Sequence, residues 1–102
     1  MAPKHLKPAT QRWFESVVRD YELEEHHVRI LTLAASAWDQ CQAARKVIQK
    51  DGMTFRDRFG QPKSRPEVAI ESDCRIAFAR LIRELCLDIE APKDNGRPPS
   101  LH

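Results

Sequence analysis

A chain of 102 residues makes one small domain, near the size at which partner chains contribute burial. Seventeen Lys and Arg against fifteen Asp and Glu leave a formal charge of +2, so bulk charge does not by itself announce a nucleic-acid binder. Three cysteines, Cys41, Cys74 and Cys86, are odd in number and lack a Cys-x-x-Cys pair, which argues against a disulfide framework and a zinc site and fits free thiols in a reducing cytoplasm.

The opening Met-Ala-Pro-Lys-His-Leu-Lys-Pro has no apolar core, and residues 1–9 are expected to be a flexible lead-in. A first helix is predicted from about Thr10, a plausible N-cap, to Tyr21, with Trp13, Phe14, Val17, Val18 and Tyr21 as its apolar stripe. A second begins near Glu24 and ends at Gly52. Glu24 and Glu25 in its first turn and Lys46 and Lys50 near its last complement the helix dipole, and at 1.5 Å per residue it would be ~40 Å long.

This second helix is unusually oily. Val28, Leu31, Ala35 and Trp38 form one stripe, and Ile30, Ala34, Ala37, Cys41 and Ile48 form another beside it. Together they cover roughly 200° of the circumference, against the ~100° that a surface helix of a globular protein needs. One stripe is expected on the third helix. The other, with Trp38, is expected on a second copy of the chain, because large aromatics are enriched at interfaces; the alternative is that the first helix covers it.

From Gly52 to Pro66 the pattern changes. Met53, Phe55, Asp57 and Phe59 alternate with Thr54, Arg56 and Arg58, as in a half-buried strand, and Gly60-Gln61-Pro62 forces a turn that returns Lys63, Ser64 and Arg65 alongside. The result is a short β-ribbon with Arg56, Arg58, Lys63 and Arg65 on two aromatic anchors, suited to a phosphate backbone. An ordinary solvated loop is the rival reading. Residues 51–65 carry those four cations against Asp51 and Asp57, and residues 1–20 carry Lys4, Lys7, Arg12 and Arg19 against Glu15 and Asp20. The second set is another candidate DNA surface, since Arg12 and Arg19, seven apart, share a helix face; here too a merely wet face is the alternative.

A third helix starts at Pro66 and runs to about Leu87, with Ile70, Cys74, Ala77, Phe78, Leu81 and Leu85 on one stripe. Residues 10–89 are thus one mainly α domain: a short first helix, then a long antiparallel helical hairpin joined by a basic ribbon-like loop. The tail, residues 90–102, with Pro92, Asn95, Gly96, Pro98 and Pro99, is expected to be disordered. The longest oily stretch, Ile30 to Trp38, is interrupted by Thr32 and Ser36 and is too short to cross a membrane.

The ordered set of a Trp-containing first helix, Tyr21-Glu-Leu-Glu-Glu-His-His27, Asp39-Gln-Cys-Gln-Ala-Ala-Arg45, Gly52-Met-Thr, Asp57-Arg-Phe-Gly-Gln-Pro-Lys63 and Phe78-Ala-Arg-Leu-Ile-Arg-Glu-Leu-Cys-Leu87 resembles the small subunit of tailed-bacteriophage terminase over about residues 10–89. Two features depart from that family's pattern. Cys86 stands where glycine is common in a Leu-Gly-Leu helix end, and the basic segment that follows is here the mixed tail Lys93 to Arg97. The resemblance implies a ring-forming homo-oligomer in the host cytoplasm. It further implies that double-stranded viral DNA is recognised at its packaging start and handed to the large terminase subunit, which carries the ATPase and nuclease.

Catalysis by this chain is not indicated. His26 and His27 are adjacent on a helix, about 100° apart, and cannot chelate as an i, i+4 pair does; Glu22, four before His26, would lie ahead of the predicted helix. There is no glycine-rich phosphate loop and no Ser-His-Asp or Cys-His arrangement to argue from, so neither metal nor cofactor is expected. The rival functions are a compact transcriptional regulator and a helical scaffold without nucleic acid. The Gly52–Pro66 connection is too long for a helix-turn-helix, which disfavours the first.

Overall fold

The computed structural model describes residues 2–88, the last three by backbone alone; the tail expected to be disordered and the Lys93 to Arg97 segment lie outside them. In chain order the elements are α1 (Pro8–Asp20), α2 (Glu25–Asp51), β1 (Thr54–Arg56), β2 (Pro62–Ser64) and α3 (Pro66–Asp88).

The hairpin of α2 and α3 follows the predicted bounds closely because both ends carry strong local signals. Glu24 caps α2 through a reciprocal box, its side chain accepting from the backbone of His27 while His27 Nδ1 accepts from the Glu24 amide at 3.0 Å. His27 is therefore a buried capping residue. At the far end Gly52 takes φ 88° and ψ 175°, a region essentially reserved for glycine, and ends the helix. Pro66 opens α3 with its φ already helical.

The helices run antiparallel. Arg45 meets Glu71, Gln40 meets Cys74, Trp38 packs on Phe78 with tilted rings 5.2 Å apart, and Leu31 shares the core with Leu85, so partners climb α3 as they descend α2. Ala34, Ala37, Cys41 and Ala44 are buried and fall on one face by helical spacing, where their small side chains let α3 approach closely.

At its N-terminal end the chain departs from expectation. Lys7, not Thr10, is the N-cap of α1, and residues 2–6, expected to be part of a flexible lead-in, instead place Ala2 and Leu6 in the core with Phe14, Leu31, Ala35 and Leu85. The cause is tertiary. Asp39 of α2 accepts the Lys7 amide at 2.8 Å and the Thr10 hydroxyl at 2.5 Å, supplying from a neighbouring helix the cap that Lys7 lacks. His5 Nε2 and Ser36 Oγ, 2.8 Å apart, fasten the same segment.

Leu31 and Ala35, expected on an interface between copies, are fully buried within the chain beneath α1 and its lead-in. Of that stripe, Val28 is half-buried and Trp38 is 42% exposed. Tyr21 lies just past α1 as its C-cap, and Val18 and Ile70, expected on core stripes, are exposed. Cys74, Ala77, Phe78 and Leu81 are half-buried.

Candidate nucleic-acid interface

The strands β1 and β2 pair antiparallel, Thr54 opposite Ser64, Phe55 opposite Lys63 and Arg56 opposite Pro62, and every residue in them is exposed. The ribbon projects from the closed end of the hairpin rather than packing on it. Arg65 fixes its base: the amide bonds the Met53 carbonyl at 2.8 Å, Nη2 donates to the Asp51 carbonyl at 3.2 Å, and the guanidinium sits 5.9 Å from the centre of the Phe55 ring. A cation on the last carbonyls of α2 also offsets the negative end of its dipole.

The predicted alternation stops early. β1 ends at Arg56, so Asp57, Arg58 and Phe59 belong to the turn, and Phe59, expected as one of two anchors, is 74% exposed. A side chain beyond the last pair of a ladder has no strand facing it. The turn itself is well braced. Asp57 Oδ1 accepts the amides of Phe59 at 2.8 Å and Gln61 at 3.0 Å, the Gly60 amide reaches the Asp57 carbonyl at 2.9 Å, and Arg56 Nη1 donates to the Gly60 carbonyl at 2.5 Å. Gly60, at φ 79°, supplies the left-handed residue the turn requires.

The four predicted ribbon cations therefore divide by role. Arg65 clips the ribbon to α2 and Arg56 braces the turn while staying exposed; Arg58 lies 5.1 Å over the Phe59 ring, and Lys63 is exposed opposite Phe55. The second set is elsewhere. Lys4, Lys7, Arg12 and Arg19 are exposed on the lead-in and α1; the Lys7 amide joins Asp39 at the middle of α2, and Arg19, in the last turn of α1, pairs with Asp20 at 3.3 Å. From Asp39 to the end of α2 at Asp51 is ~18 Å of helix, so the two basic sets are separate surfaces on one molecule.

Two other features were not legible in the sequence. Glu71 on α3 accepts from Arg45 Nη2 at 2.9 Å and Arg75 Nε at 3.4 Å, and Cys41 Sγ lies 3.6 Å from the same oxygen. The Arg45 hydrogen bond is the main reason the Glu71 carboxyl lies below the ordinary glutamate range. Burial, helped by Glu71, pushes the Cys41 thiol up. Midway along the hairpin, Ala9, Thr10, Trp13, Trp38 and Phe78 line an open apolar hollow of about 340 Å³. Among the described residues no three His, Cys, Asp or Glu side chains gather as a metal cage, and no helix is long and apolar enough to cross a membrane.

The profile of the family described as "Phage terminase, small subunit" matches residues 11–99. The chain belongs to that family. No curated protein and no solved structure matches it. The match takes in most of α1, the hairpin and the ribbon, so a terminase small subunit is here built as a helical hairpin with the basic ribbon at its closed end. Asp39, Cys41 and Arg45, in the segment that carried the sequence resemblance, lie on the seams to α1 and α3.

Proposed function

We propose that this chain is the non-catalytic terminase subunit that recognises double-stranded viral DNA in the host cytoplasm for genome packaging and passes it to the large subunit, which supplies ATP hydrolysis and cleavage. Family membership over residues 11–99 is the observation that carries the reading. The exposed ribbon offers the surface: Arg56 and Lys63 are presented on its strands and Arg58 on its braced turn, with Arg65 holding the base, and Lys4, Lys7, Arg12 and Arg19 form a second face. Phosphate contacts position such a protein on a duplex without reading sequence. Each subunit binds weakly, and a homo-oligomer presenting the same surface many times gains strength by avidity. The aromatic hollow around Trp38 is the proposed contact between copies.

The experiment is binding of the full chain to packaging-site duplex across a salt series. Each neutralised phosphate steepens the log–log slope by about 0.9, so R56E/R58E should weaken binding to all sequences and flatten the slope while leaving assembly unchanged. Unchanged affinity and slope in that variant would remove the ribbon as the contact and direct the same test to the N-terminal set.

A further inference from the structure

We propose that Phe59 is a wedge: when the ribbon docks on duplex DNA, its ring enters a base step and partly unstacks it, so the subunit selects sites by how readily that step opens. This rests on the DNA-binding reading above and adds a source of selectivity to it.

The first observation is the cost of the ring's position. Burying a Phe side chain contributes to folding, yet Phe59 is 74% exposed at the end of the molecule, past the last strand pair, where the core cannot use it. Lone exposed apolar residues are common on soluble proteins, but this one is held by a rigid support. The Phe59 amide is tied to Asp57, the Asp57 amide donates to the Gln61 carbonyl at 3.0 Å, and Arg56 closes the turn from the strand side. The ring therefore stands on a turn whose shape is set before any partner arrives.

The second observation is what surrounds the ring. Arg58 lies over it, Arg56 and Lys63 are exposed on the adjoining strands, and the one acid in the turn, Asp57, has its carboxylate engaged by two backbone amides. A flat apolar group flanked by cations matches a base step flanked by phosphates: the cations hold the backbone while the ring stacks on base faces, which every sequence offers. Apolar wedges used by architectural proteins kink the duplex in this way. Pyrimidine–purine steps, TA and CA/TG, unstack most easily, so selectivity arises at a step without hydrogen bonds to base edges.

The test uses the full chain and two short duplexes that differ in one central step, TA or AT, with 2-aminopurine at that step to report unstacking. Wild type should brighten the TA duplex and bind it several-fold more tightly than the AT duplex. F59A removes an exposed side chain and should remain folded by circular dichroism. It should keep the salt slope, lose the fluorescence rise and the step preference, and bind about tenfold more weakly, the scale of one lost base–aromatic stack. F59W should restore both signals. If F59A behaves as wild type in fluorescence and step preference, the wedge is overturned and the DNA-binding reading stands. A wild type that binds neither duplex overturns both. Loss of large-subunit capture by F59A with unchanged DNA fluorescence assigns the ring to a protein contact and overturns the wedge.

Discussion

Glu71 sits on the seam between the two long helices, and it shows how one carboxylate organises that seam. It draws Arg45 across from α2, Arg75 from one turn along α3, and the Cys41 thiol from the buried face. Hydrogen bonding by Arg45, more than any other influence, holds its proton affinity below that of the unfolded chain. The contribution to stability is therefore complete above the ordinary glutamate range and drains away as pH falls through the lowered value. E71Q should lower the urea midpoint at neutral pH, and the gap from wild type should shrink at an acid pH below the ordinary glutamate range, as the native carboxylate takes up its proton. An equal gap at both pH values would show that packing, not charge, sets the effect.

Among elements, the join between α2 and the ribbon is the most constrained. Gly52 adopts φ 88° with open space where a Cβ would stand, so a side chain there meets no clash and the entire penalty is backbone strain. G52A should cost about 1–3 kcal/mol, the usual range for a non-glycine residue in that region. It should also tilt the ribbon, since Arg65 reaches the Asp51 carbonyl one residue before the bend. Thermal melting reads the first effect, and loosened DNA binding at a retained fold reads the second. A melt identical to wild type would mean that α2 can end without the bend.

At the scale of the whole molecule, the expectation of self-association has moved from a stripe to a patch. Leu31 and Ala35 have been taken up by α1 and the lead-in, while Trp38, packed at a tilt on Phe78, whose ring centre is 6.2 Å from that of Trp13, keeps part of its surface open beside the hollow. An exposed aromatic group of this size is a reasonable site for a second copy. Native mass spectrometry should find an assembly above a dimer, and W38E should shift it to monomer with the helical circular dichroism retained. A wild-type monomer across micromolar concentrations would sink the proposal and favour a solitary scaffold.

By itself the sequence determined the elements whose ends carry local chemistry. The glutamates and Gly52 bracket α2, Pro66 starts α3, and the Gly60 turn pairs two short strands, because caps, prolines and left-handed glycines act over a few residues. It also carried the family, through the order of its motifs. Only the tertiary structure decided which apolar face is free and which cations are available. Asp39 caps a helix 32 residues away, Leu6 from a polar lead-in covers Leu31, Arg65 is spent on a helix end, and Phe59 is left in solvent. Periodicity states that a face is apolar. Whether that face meets its own chain, another copy or a ligand depends on contacts between residues far apart in sequence, which no local pattern encodes.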